Sequence, residues 1–177
     1  MRVGGAWERF DRVVLATHAD ISLRLLADAD ETERRVLGAF AYNANVAHVH
    51  TDLSPLPRSP RARASWNVRT WGEGERRLTS THYWMNSLQG VSGRENYVVT
   101  INHVQQVDPS KVLQSIPCEH PLFSLEALAA QGEVPALNAR AGARTHFCGA
   151  WQRYGFHEDG IWSAHQLATH LLGGDPW

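Results

Sequence analysis

Cysteine is nearly absent from this sequence: 177 residues hold only Cys118 and Cys148, with no second cysteine near either. That excludes a disulfide framework and a CxxC zinc or redox motif, and both residues read as small buried or half-buried side chains. Excess charge is also missing, since 17 Lys and Arg stand against 18 Asp and Glu for a formal net charge of −1. A near-neutral chain lacks the basic footprint that phosphate-backbone binding requires, so nucleic acid is not an expected partner. No run approaches the roughly 18 apolar residues of a membrane span, and Met1 to Phe10 holds no hydrophobic signal core. The expected location is the cytoplasm.

What remains is globular in composition, with 43% hydrophobic and 20% charged residues. The high counts are ten His and seven Trp. The histidines are scattered from His18 to His170, which argues against a dedicated metal cluster. His48 and His50 in VAHVHT alternate along a strand and share one face, as a metal site would require. Without a third ligand at a fixed spacing they read as satisfied or exposed histidines, and no metal is expected.

The chain opens on the end of one strand at Val3, a tight turn at Gly4-Gly5 and a covered strand over Val13 to Ala16, as if from the middle of a hairpin, because glycine pairs supply turn geometry and β-branched runs suit buried strands. Helices are predicted over Ala19 to Ala27 and from Asp30 to Phe40, the second with acidic residues in its first turn. Val46 to Thr51, Arg63 to Thr70, Thr79 to Asn86 and Tyr97 to His103 alternate with period two between Pro and Gly clusters, and predict a mostly antiparallel sheet. Trp66, Tyr83 and Trp84 on these strands read as core. A further strand over Lys111 to Glu119 is expected, then a helix over Leu125 to Gln131 capped by Ser124, a strand over Thr145 to Cys148, and a last helix from about Gly160 to Leu172 stopped by Gly173-Gly174.

The stretch richest in chemical meaning is THFCGAWQRYGFHEDGIWSAHQLATHLL, Thr145 to Leu172. A strand delivering a glycine, an aromatic loop with a second glycine and a helix start can hold a flat or anionic cofactor. Glycines admit close backbone approach, and a helix N-terminus presents unpaired amides. The same strand-glycine-loop-helix unit also occurs for packing reasons alone.

The segment CGAWQRYGFHEDGIWSA resembles the C-terminal flavin-contacting motif of the FAD-dependent amine oxidase superfamily, in its bacterial NAD/FAD-binding oxidoreductase branch. FDRVVLATHAD, ASWNV with THYWMNSLQG, and CEHPLF agree in order, so the resemblance covers essentially the whole chain. It implies an α+β fold, with a mostly antiparallel substrate-domain sheet plus helices and an incomplete FAD-binding, Rossmann-like part formed by the two chain ends. The implied segments are 1–40 for the partial FAD-binding part, 41–140 for the sheet and its helix, and 141–177 for the flavin-contacting strand and helix. The cofactor implied is FAD, with hydride abstraction from a C–N or C–C bond of an apolar or lipid-like small molecule.

Residue by residue, the resemblance puts Thr17 on a strand-to-helix turn of the FAD domain and Gly149 at the ribityl and pyrophosphate region. Ala150 and Trp151 stand where many relatives carry an acidic ribityl ligand. Gly155 would begin the turn over the isoalloxazine, with Phe156 beside the ring. His157, Glu158 and Asp159 would start the helix whose amides meet the flavin's pyrimidine oxygen. Relatives also carry an N-terminal GxGxxG unit, which this sequence lacks: Gly72 and Gly74 come closest, but Arg77 takes the third position. The chain is therefore expected to be the C-terminal part of a longer flavoenzyme or a subunit completed by a separate chain carrying the GxGxxG half. Apolar surface should lie bare where the absent strands belong. A non-catalytic remnant and a lipid or small-molecule binding module are the alternatives, and no side chain stands out as an acid or base.

Overall fold

A computed structural model of the chain describes residues 1–74, 77–102 and 106–176. His103 and Trp177, the expected ends of one strand and of the last segment, lie outside them. The chain divides into two compact units, Met1–Asn43 with His120–Trp177, and Ala44–Glu119. Residues 120–140, grouped with the sheet in the sequence reading, cluster instead with the two chain ends. The fold is mixed α+β.

In the terminal unit, β1 (Arg2–Val3) and β2 (Ala6–Trp7) form a hairpin whose turn residues Gly4 and Gly5 have φ of 55° and 92°. Both angles are positive, as the tight hairpin turn demands. β3 (Val13–Leu15) pairs in parallel with β9 (Thr145–Phe147), Val14 opposite His146. The strand at Val13 is not covered as expected: Val14 is 47% exposed, because these two strands form a sheet of their own with no third strand among the described residues.

Helices pack around that pair. α1 (Ala19–Leu25) and α2 (Glu31–Gly38) follow β3, and α2 is capped by Asp30, whose carboxylate accepts from Glu33 N–H while the Glu33 carboxylate accepts from Asp30 N–H. α4 (Leu125–Gln131) starts at Ser124 as read, with the Ser124 hydroxyl accepting from Ala127 N–H. The sequence reading missed α5 (Val134–Asn138), a single short turn begun by Val134-Pro135. α6 (His157–Leu172) starts three residues before the expected Gly160 and ends at Gly173, φ 74°. The apolar core lies here: Ala19, Val36, Leu37, Phe40, Ala127, Ala130, Val134, Leu137, Phe147 and Trp151.

The other unit is built on a five-stranded antiparallel sheet in the order β5-β6-β7-β4-β8. Its strands are β4 (Tyr42–His50), β5 (Trp66–Trp71), β6 (Leu78–Trp84), β7 (Val98–Ile101) and β8 (Val112–Pro121), with a short α3 (Met85–Gln89) after β6. The chain passes between the units within β4 and β8. Cross-strand register gives the sheet two unlike faces. Trp66, Tyr83, Val99 and Val49 align on one, beside Val68, Thr81, Ile101 and Ala47. Contrary to the core reading, Trp66 is 54% exposed and Tyr83 only half buried, its ring edge-on to the indole at 5.6 Å. On the opposite face Asn67, Ser80, His82, Thr100, His48 and His50 are buried together with Val98, while Arg69 and Leu78 are exposed.

Candidate functional site

β3 and β9 run in the same direction, so their carboxyl ends open on one side, each followed by a helix. Thr17 lies in the turn from β3 to α1. Its hydroxyl is 2.9 Å from Ser22 Oγ and its carbonyl accepts from Trp151 Nε1 at 3.0 Å. β9 leads through buried Cys148, whose thiol pKa burial pushes up, to Gly149. The Gly149 amide donates to Ser163 Oγ at 2.9 Å, and Ser163 donates in turn to Gly160 O. A Cβ at Gly149 would lie 2.5 Å from Trp151 Nε1 and 3.2 Å from Thr17 O. Only glycine lets the indole fold back over the strand end. Ala150–Gln152 form a 3-10 turn that places Trp151, 3% exposed, edge-on to Phe40 with ring centroids 4.7 Å apart.

Beyond that turn the surface opens. Gly155, at φ +88°, has an N–H that donates to Ala150 O, and a Cβ there would touch the Phe123 ring at 3.5 Å. Phe156 is 56% exposed, and His157 and Glu158 are exposed at the start of α6. Asp159 is buried: its Oδ2 accepts from Phe156 N–H at 2.9 Å and Tyr154 N–H at 3.2 Å, while Arg153 Nη1 stands 3.8 Å from Oδ1. The Arg153 guanidinium sits over the Trp162 ring, 4.8 Å from its centroid.

The residues singled out in the sequence therefore divide by role. Thr17, Gly149, Trp151 and Asp159 are engaged in holding the turn, with half-buried Ala150 inside it. Gly155, Phe156, His157 and Glu158 form an exposed rim. For FAD the rim fits the oxygen-bearing edge of a flavin, since a 16-residue helix begins there with no side chain of its N-cap residue bonded to the first-turn amides. The face of Gly149 does not fit a pyrophosphate, because the chain's own indole fills it.

The sheet unit holds a second constellation that the sequence reading missed. Asn67, His82, Thr100 and His48 face one another across four strands, with Ser80 and His50 beside them. His50 Nε2 is 2.7 Å from Thr100 Oγ1, His82 Nδ1 is 2.7 Å from the same oxygen, and His82 Nε2 is 2.8 Å from Ser80 Oγ. His48 Nδ1 meets Ser115 Oγ at 2.8 Å. Burial, then the neighbouring His50 and Arg69, push the pKa of His82 down to about 4, and burial also lowers those of His48 and His50. For Asp52, burial works upward. The amides of Asp108 and Ser54, the Ser54 hydroxyl and Lys111 overcome it and hold the carboxyl at about 2. The available signal was a run of polar residues two apart on successive strands, which by alternation share a face. Among the described residues no three His, Cys, Asp or Glu side chains converge on a metal position, and no helix is long and apolar enough to cross a membrane.

No protein-family model matches the chain, and no curated protein matches it either.

Proposed function

We propose that this chain is the flavin-contacting and substrate-sheet portion of an FAD-dependent oxidoreductase of the amine oxidase type, working in the cytoplasm with a dinucleotide-binding half that carries GxGxxG. The observation that carries this reading is the parallel pairing of β3 with β9. In open parallel sheets ligands bind outside the carboxyl ends of the strands, and here both ends lead through a tight turn into a helix. Bound flavin would supply hydride abstraction from a C–N or C–C bond. The chain's own part is positioning. The start of α6 offers backbone amides to the edge it faces, and Phe156 offers an exposed ring to a flat ligand. The turn locked by Trp151 and Thr17 keeps that rim in place. The outer sheet face, with Trp66, Val68 and Tyr83, suits an apolar or lipid-like substrate.

That same face favours a second reading, a small-molecule binding module without flavin. Fluorescence of FAD and of riboflavin, each titrated with the purified full chain, separates the two. Quenching of both, weakened several-fold by Phe156→Ala, is the expected result. Unquenched flavin together with uptake of an apolar fluorescent probe overturns the flavin reading and leaves the module.

A further inference from the structure

We propose that Ser80, His82, Thr100 and His50 form a buried relay that accepts one proton and shares it between two imidazoles. The rings, the threonine and the serine are each 2% exposed or less. A single hydroxyl, that of Thr100, stands between His50 Nε2 and His82 Nδ1 at 2.7 Å from each. It has one proton to donate and must receive one in return. When both rings are neutral, one therefore donates to Thr100 and the other accepts from it.

Two arrangements satisfy this. In the first, Ser80 O–H donates to His82 Nε2, His82 Nδ1–H to Thr100, and Thr100 O–H to His50 Nε2, which leaves the His50 proton on Nδ1. In the second every bond reverses and both rings carry the proton on Nε2. In both arrangements the two rings carry the same tautomer, as the single Thr100 hydroxyl between them requires.

In the first arrangement, a proton arriving at His82 Nε2 turns the Ser80 hydroxyl from donor to acceptor. The His82 Nδ1 proton can then pass to Thr100 as the Thr100 proton passes to His50, so one proton enters at the Ser80 end and one charge reappears on His50. Both singly charged forms keep every hydrogen bond. A second proton would aim two N–H groups at Thr100 Oγ1 and bring two buried cations together, so it is excluded. The charged and titratable groups around the relay fit this limit. Arg69 on β5 and His48 on β4 oppose positive charge, and Asp52, itself paired with Lys111, supports it at the His50 end.

Nitrogen-15 NMR of the imidazoles in the full chain, followed from about pH 7.5 to about pH 4, tests the relay. The expected result is the same tautomer on both rings at neutral pH and uptake of one shared proton that shifts both rings together. Thr100→Ser keeps this behaviour, and Thr100→Val uncouples the two titrations. Unlike tautomers on the two rings in the unsubstituted chain overturn the proposal, whether or not Thr100→Val folds. So do two independent titrations there, or unfolding of the sheet before either ring is protonated.

Discussion

The two units bury different chemistry. The one made from both chain ends holds a hydrocarbon cluster that includes Leu37, Phe40, Val134, Leu137, Phe147 and Trp151, and its buried Asn138, Asp159 and Ser163 bond backbone groups. The one between them holds imidazole, hydroxyl, amide and carboxylate, with Leu56, Val98 and Val107 as its large buried aliphatics among the described residues. Apolar burial is non-directional and insensitive to pH, whereas a buried polar network depends on every member being paired and in the right protonation state. Two units of one chain are thus held by forces that respond to different perturbations.

The strongest way to break that contrast is from the apolar side. Trp151→Ala removes a side chain 3% exposed, with its contact to Phe40 and its bond to Thr17 O, and should cost about 3–5 kcal/mol, read from urea unfolding curves. Signals from the sheet unit should be unmoved at low denaturant. Acidification acts on the other side. His82 is neutral when folded, with a pKa of about 4, and titrates near its ordinary 6.5 when unfolded, so the unfolded chain binds more protons between those values. The stability lost as pH falls from 6.5 to 4 approaches 3 kcal/mol at about 1.4 kcal/mol per pH unit. Hydrogen exchange should show β6 and β7 losing protection in that window. The terminal unit has one buried imidazole, His146, lowered by burial and partly restored by the Asn138 carbonyl, so it should lose less. Asp52 adds an acid-sensitive contribution only as pH falls from 3.8 to about 2, where the unfolded chain protonates this carboxyl before the folded one does.

Smaller changes sharpen the picture. Gly149→Ala drives a methyl into the Trp151 indole and should cost about 1–3 kcal/mol, measured as a lower thermal midpoint, as expected for overpacking a filled site. Ser124→Ala removes the cap of α4 and should cost about 1 kcal/mol in the same assay. Least affected should be Glu133→Gln, which breaks only the exposed pair with Arg35 and should leave the midpoint unmoved.

The legible parts of the fold were those written in local chemistry. Asp30 with Glu33, Ser124, Gly4-Gly5 and Gly173 all mark boundaries close to where the elements start or stop, and alternation located β4, β5, β6 and β7. What alternation leaves open is which face is covered. Trp66 and Tyr83 look like core by composition, yet the buried side carries His48, His82 and Thr100. Hydrophobicity alone misplaces such a face, because the polar side chains satisfy one another and need no water. In the terminal unit the glycines and aromatics after β9 were readable as a turn. That Trp151 would fill the space Gly149 leaves was not, because it depends on Thr17, far away in sequence.

The pairing of β3 with β9 also orders events during synthesis. Val13–Leu15 leaves the ribosome before the sheet unit, but its partner, Thr145–Phe147, is made only after the entire intervening unit. The sheet between them is one continuous stretch of chain and needs nothing later to close. Vectorial translation therefore delivers the polar unit as a finished insert while α1, α2 and the first parallel strand wait with their apolar sides unpaired. Chains stalled after β8 should present a protease-resistant sheet behind a digestible N-terminal segment, and this interval is when the nascent chain is most exposed to chaperones.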